Sequence, residues 1–384
     1  MPTLQERMDQ SATDHKSIYL DEGYEALTDT ALMARQSGGK VIGEGRHEAV
    51  AGGHEVMPGS SIAGGHTTIY WDSEDDKKPM ISTGGSTYKT FSEFALIGNA
   101  PGTVKDYRGK LHWDKYANNI ETGVLVSREP KGLGSGKHVF EKLFFANMKE
   151  GIRFGEDGSQ ANCDVTSIRD VTFRNVENCI HLEHSNSQGY SLNHTSAHFK
   201  DGGYFLHVQG GGSLNSTGAF FSHGCTVVYI DGPESEIGIL TDVITFNQIE
   251  SDAQSGHEFK LLDSNPDTVS KGYLNMEVNR GTIGGTRYEQ ANARLATIYG
   301  RQQLTLVNVQ PLQRGMFNWH TQSLGDNIGH LTLDRCVVMP DIINVLDLLE
   351  PTDSTNRLWF TARDCKDYYG NPLPNFGPSM VCAH

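Results

Sequence analysis

A chain of 384 residues with a formal charge of −15 lacks the basic face needed to release counterions from a phosphate backbone, which excludes non-specific nucleic-acid binding. The 43 glycines, the low 21% of charged residues and the abundant Asn, Ser and Thr point away from helices and toward many short strands joined by turns. No run of about 18 apolar residues is present to cross a bilayer, and six scattered cysteines without a CxxC pair fit neither a zinc site nor a disulfide scaffold.

In chain order, residues 1–15 are polar, with Leu4 and Met8 spaced for one helical face and no apolar core of a secretory signal. They are predicted to cap the end of whatever follows; a virion-associated protein, or one extracellular after release, fits that start. Next, Ser17-Ile-Tyr-Leu-Asp-Glu-Gly23 and Lys40-Val-Ile-Gly-Glu-Gly45 each read as a strand closed by glycine. Two copies of Ala-Gly-Gly-His, at 51–54 and 63–66, read as flexible turns rather than a metal-binding pair. Residues 98–138 form a long polar excursion in which Trp113, Tyr107 and Tyr116 mix with Lys105, Arg108, Lys110, Lys115, Arg128 and Lys131. That mixture suits a wall that stacks on sugar rings, or a solvated loop.

Beyond this, a repeat sets in. Lys142-Leu-Phe-Phe-Ala-Asn147, Asp170-Val-Thr-Phe-Arg-Asn175, Ser196-Ala-His-Phe-Lys-Asp201, Thr217-Gly-Ala-Phe-Phe-Ser222 and Asp242-Val-Ile-Thr-Phe-Asn247 share an aromatic anchor. The anchors Phe145, Phe173, Phe199, Phe221 and Phe246 continue at Val278, Leu306, Leu333 and Phe360, at spacings of 28, 26, 22, 25, 32, 28, 27 and 27 residues. One such coil cannot bury its own apolar face, whereas stacked coils share a core and satisfy each other's backbone groups. A second short strand follows each of the first four anchors: Gly151-Ile-Arg-Phe154, Cys179-Ile-His-Leu182, Phe205-Leu-His-Val208 and Val227-Val-Tyr-Ile230. Asn147, Asn175, Asp201 and Asn308 read as an amide ladder at an inward turn.

These repeats and the opening strands resemble the pectin-lyase-like superfamily of pectate lyases, polygalacturonases and phage tailspikes. The resemblance implies an all-β chain folded as a single-stranded right-handed parallel β-helix, a solenoid. Residues 1–15 would be the cap, 16–365 the β-helix with its excursion at about 98–138, and 366–384 an irregular C-terminal tail. The polygalacturonase signatures are lacking: Ser222-His223-Gly224 is the nearest fragment. The catalytic lysine that β-helical alginate and chondroitin lyases carry after the second strand is replaced by Ser185, Asn186 and Ser187.

If the second strands keep their apolar residues inward, their outward residues form two rows along the coils. One row runs Arg153, His181, His207, Tyr229; the other runs Gly155, Glu183, Gln209, Asp231. Lys260, Tyr299, Arg301, Asn318 and His320 are later members in an uncertain register. Elimination on a uronic-acid polysaccharide needs a cation to neutralise the carboxylate, a base and an acid. Arg153 or Lys260 suits the first role, His181 or His207 the second and Tyr229 the third; Glu183 and Asp231 would orient a histidine or hold Ca²⁺, the one cofactor this set admits. Gln209, Arg301, His320 and Trp113 would complete the substrate contacts. A hydrolase would instead need two carboxylates. Glu183 and Asp231, about 10 Å apart by strand spacing, would allow only inversion. The partner is therefore a polysaccharide, with neither nucleic acid nor membrane. A polysaccharide lyase is the first reading, an inverting glycoside hydrolase the second. The third is a non-catalytic carbohydrate-binding or tailspike-like module, which would be a homo-oligomer, a trimer on the tailspike pattern.

Overall fold

The computed structural model describes residues 3–14, 17–20, 23–27, 32–33, 38–43, 67–71, 78–98, 122–126, 135–155, 164–183, 186–198, 203–222, 225–231, 242–252, 259–266, 274–284, 294–320, 328–350 and 357–382. The chain divides into two compact units, Met1–Lys200 and Asp201–His384. Each winds as a right-handed parallel β-helix, in which a strand pairs in parallel with the equivalent strand of the next coil.

In the first unit, one ladder of side chains runs Ile18, Val41, Phe91, Phe140, Ile168, Leu192, each in register with the next and all buried. A second runs Ile69, Leu96, Phe145, Phe173, Ala197. Phe91 stacks on Phe140 at 5.4 Å and Phe145 on Phe173 at 5.1 Å. Full burial of each such ring stabilises the fold by about 1.5–3 kcal/mol. Ala197, rather than Phe199, takes the third anchor position; Phe199 lies outside the described residues. The first and second strands that the sequence separates are continuous here, as Phe144–Phe154 and Thr172–Leu182. The turn before each carries a left-handed residue, Lys142 and then Asp170, so these two coils turn into their strands in the same way.

Close stacking leaves no room for a side chain at Gly151, where a Cβ would lie 2.6 Å from both the Cys179 carbonyl oxygen and the Phe173 ring. Gly151→Ala is therefore expected to destabilise this unit by about 1–3 kcal/mol, read as a lower thermal midpoint.

The helix Leu4–Asp14 begins with a reciprocal cap: the Glu6 N–H donates to Thr3 Oγ1 at 3.1 Å and the Thr3 N–H to Glu6 Oε2 at 2.7 Å. Its Leu4 and Met8 are buried beside the strands Ile18–Tyr19 and Leu32–Met33. Within the stretch expected as an excursion, Thr122–Val126 is a buried strand that pairs with Phe144–Phe154 and with Ile81–Ser82. Trp113, the two tyrosines and the basic residues named with it lie outside the described residues, as do both Ala-Gly-Gly-His copies.

A buried polar chain crosses the same unit. Thr83 Oγ1 and Ser135 Oγ are 2.8 Å apart, Ser135 Oγ lies 2.8 Å from His138 Nε2 and donates to the Ser86 carbonyl at 2.9 Å, and the Lys89 N–H donates to His138 Nδ1 at 3.3 Å. Burial, aided by the charge of Lys89, pulls His138 down to about 4. The unfolded chain then binds a proton on this residue between about pH 6.5 and 4 that the folded chain refuses, so stability falls as pH drops through that window. The expected loss is about 3 kcal/mol. Thermal midpoints measured from pH 7 to 4.5 should fall in the wild type, and the slope should flatten in His138→Asn.

In the second unit the principal ladder runs Leu214, Ile244, Met276, Leu304, Leu331, Phe360, and the next runs Phe246, Val278, Leu306, Leu333, Ala362. Phe221 is not in the Phe246 ladder: it is in register with Ser251 and packs edge-on against Phe205 at 4.9 Å. Phe360 likewise stands level with Leu331, two residues from the expected alignment. An amide ladder is present, but through Asn215, Asn247 and Asn279, linked at 2.8 and 3.1 Å. The side chains of Asn147 and Asn175 and residue Asp201 lie outside the described residues, and Asn308 is a left-handed turn residue. The segment expected as an irregular tail contains the strand Phe376–Cys382, which pairs antiparallel with Arg357–Arg363 and so covers the last coil's edge. Among the described residues no helix is long and apolar enough to cross a membrane.

Candidate functional site

Two groups of titratable side chains stand on the second strands, one in each unit. In the first unit, Arg153 and His181 are in register on adjacent coils, as the alternating pattern predicts. Both are drawn into a compact ionic cluster. His181 Nδ1–H donates to Glu150 Oε1 at 2.6 Å, Thr122 Oγ1–H donates to Glu150 Oε2 at 2.8 Å, and Arg153 lies 3.6 Å from Glu150 while also pairing with Glu183. Burial works to raise the Glu150 carboxyl, but the hydrogen bond and charge of His181, with Arg153 and Thr122, outweigh it and hold the group below the usual carboxylate range. The side chains of Glu150, Glu183 and His181 are 9%, 8% and 7% exposed, so this cluster is nearly closed to solvent. Glu150 and Thr122 fall outside the outward row that the alternation marks: Glu150 is level with Thr122 and Asn178, three positions before Arg153 and His181.

The second unit carries the more open group. His207 and Tyr229 are in register, and the next coil places Asp263 level with Tyr229. Lys260, expected in this row, is level with Thr226 instead; its ammonium reaches Asp263 Oδ2 at 2.8 Å. The same carboxylate accepts the Ser264 N–H at Oδ1, 2.9 Å away. Asp231 lies two residues beyond Tyr229; its Oδ1 accepts from the Asn265 amide at 2.9 Å and its Oδ2 is 3.7 Å from His207 Nε2. The side chains of Asp231, Lys260 and Asp263 are 26%, 22% and 20% exposed, which leaves them reachable from outside.

Tyr204 stacks on Tyr229 with ring centres 4.2 Å apart, and His207 sits 5.6 and 5.5 Å from the two rings. Burial first, then the neighbouring Tyr204, Asp231 and Asp263, push the Tyr229 phenol up to about 12, so it keeps its proton across the physiological range. Tyr299 is also raised, by burial and by Asp263. Behind the row, Gln302 donates to Ser264 Oγ at 2.7 Å and accepts the Tyr299 N–H at 2.9 Å.

The other expected members are less central. Gln209 is half-buried at the position before which the Asp231 N–H bonds Val208. Arg301 is exposed on the turn after Tyr299 rather than on the strand. The His320 backbone pairs with Tyr299, but its side chain lies outside the described residues, as does Trp113. Asp263 was legible by aligning Leu261-Leu262 with Val227-Val228; a longer coil between them hides it from a fixed spacing. Among the described residues no group of three or more His, Cys, Asp or Glu side chains is arranged to hold a metal ion, and Glu183, one of the two expected Ca²⁺ ligands, is engaged by Arg153.

No protein-family model and no curated protein matches the chain. Among solved structures it is similar to DFA-IIIase from Arthrobacter chlorophenolicus A6. A cysteine-to-alanine mutant of that enzyme aligns with a TM-score of 0.53 at 13% identity, over 94% of this chain and 81% of the other. The same mutant in complex with DFA-III aligns at 0.52 and 13%, over 95% and 82%. The enzyme in complex with GF2 aligns at 0.52 and 14%, over 91% and 82%. What these likenesses share with the chain is the β-helical fold.

Proposed function

We propose that the chain is a carbohydrate-active enzyme that hydrolyses a glycosidic bond at the Asp231–Asp263 pair of the second unit. The observation that carries this reading is the offset of the two aspartates: adjacent coils, same strand face, two residues apart along the strand. A coil spacing of about 4.8 Å and a rise of about 3.3 Å per residue separate their backbones by about 8 Å. Side chains that leave one face side by side keep roughly that separation, which matches the roughly 6.5–9.5 Å between carboxyl groups that lets a water fit between a sugar and the basic carboxylate, the geometry of inversion. Asp263, an acceptor for Lys260 and the Ser264 N–H, takes the base role; Asp231 protonates the leaving oxygen. Tyr204 and Tyr229 supply a stacking platform for the sugar face. DFA-IIIase, similar in fold, is seen in complex with DFA-III and with GF2, which agrees with a carbohydrate substrate here.

Elimination is less well supported. Arg153 and Lys260, the cations suited to neutralise a uronate, are each bound to a carboxylate. The feature that favours it is His207 beside a protonated Tyr229, a base and an acid on adjacent coils. Incubation with a panel of neutral and uronic-acid polysaccharides separates the two. New reducing ends without ultraviolet absorbance support hydrolysis, whereas an absorbing unsaturated product would replace it with the lyase reading. Glycan binding without turnover of any member would leave a binding module.

A further inference from the structure

The second unit ends in a cysteine pair that the proposed chemistry does not use. Asp334 is in register with Arg363 and Val337 with Lys366, an offset of 29 residues on both sides of the turn, so Cys336 and Cys365 occupy one position on consecutive coils. The Arg335 N–H bonds the Arg363 carbonyl at 2.9 Å and the Lys366 N–H bonds the Cys336 carbonyl at 3.1 Å, which ties the two turns together on either side of the pair. Coils about 4.8 Å apart bring the two Cα atoms into the separation of roughly 4.4–6.8 Å that a disulfide spans. Each thiol donates to a backbone carbonyl of its own turn, Cys336 to Asp334 at 3.6 Å and Cys365 to Arg363 at 3.5 Å, so the two side chains take the same course on consecutive coils.

We infer that Cys336 and Cys365 are a redox modification site, closing to an inter-coil disulfide when the chain meets a small-molecule disulfide oxidant such as oxidised glutathione. Cys365 is the attacking thiol. The hydrogen bond from Cys336 is the largest cause holding it below the ordinary thiol range, whereas that bond and burial raise Cys336. The Cys365 thiolate attacks one glutathione sulfur, breaking the S–S bond and releasing one glutathione thiolate. Cys336, losing its proton, then attacks Cys365 Sγ in the mixed disulfide and releases the second glutathione. Two protein thiols are oxidised and one glutathione disulfide is reduced to two thiols. Both sulfurs lie in the interior, with Cys336 Sγ 3.4 Å from the Leu306 carbonyl oxygen, and the Leu373 N–H bonds the Cys365 carbonyl at 2.9 Å. The C-terminal segment that crosses Cys365 thus controls access, and closure is fastest as the chain folds.

The test uses the full chain carrying Cys382→Ser, which removes the exposed competing thiol. It is incubated folded, and in parallel refolded from denaturant, with oxidised glutathione, then quenched with an alkylating agent and digested with trypsin without reduction. The expected product joins the peptide of residues 336–357 to that of residues 364–366, at a mass lower by two hydrogen atoms than the sum, and disappears on reduction. Cys336→Ser should abolish it. Recovery of both peptides separately alkylated in both arms, or cross-linking of Cys365 to Cys225 in preference, would overturn the assignment.

Discussion

Asp263→Asn is expected to lower turnover by about two to four orders of magnitude on the substrate that the wild type hydrolyses, with the thermal midpoint within a few degrees of wild type. An amide cannot take a proton from the attacking water, yet it has nearly the carboxylate's shape, and its one remaining oxygen keeps one of the two bonds that the carboxylate accepts at separate oxygens from the Lys260 ammonium and the Ser264 N–H. Asp231→Asn should cost about as much with substrates whose leaving group needs protonation, and far less with an activated aryl leaving group that departs unprotonated. That difference assigns the acid. If the two variants respond alike to the activated substrate, the roles given above are wrong. Rates of release of reducing ends, with circular-dichroism melting as the control, are the measurements.

The second large effect belongs to stability. Arg153→Met removes the guanidinium that meets both Glu150 and Glu183, leaving two nearly buried carboxylates without their shared cation. Breaking a buried pair from one side costs about 3–5 kcal/mol, because the abandoned charge loses its partner while remaining out of water. For a unit of this size that corresponds to a fall of about 6–20 °C in midpoint. Adding Glu183→Gln to Arg153→Met should recover part of the loss, since the second carboxylate is then neutral. An unchanged midpoint in Arg153→Met would mean that the cluster is solvated in solution.

The architecture was legible because stacking forces equivalent positions to repeat: Phe145 with Phe173, and Arg153 with His181, fall into register as the spacing of 28 residues requires. Register departs from a fixed spacing wherever a coil changes length. Ala197 replaces Phe199 because that coil is shorter, the ladder after Phe246 does not begin at Phe221, and Asp263 is hidden by a long coil that moves Lys260 out of the row. Outward direction was also a poor guide to accessibility. His181 lies on the expected strand and Glu183 just beyond its end, but Glu150 and Arg153 bind them and close them off. Ionic partners three positions away along a strand, or a hydrogen-bond donor from a neighbouring coil such as Thr122, leave no periodic trace in a sequence. The alternation of apolar residues sets the coil, whereas these contacts depend on side-chain reach.

The most direct test of hydrolysis at Asp231 and Asp263 is the configuration of the first-formed product, followed by proton NMR at the anomeric centre during early turnover. Two aspartates on one strand face, with backbones about 8 Å apart by strand geometry, predict the inverted anomer. A retained anomer would require a nucleophile closer to the sugar than either aspartate, and a product with a ring double bond would move the chemistry to His207 and Tyr229; each contradicts the account.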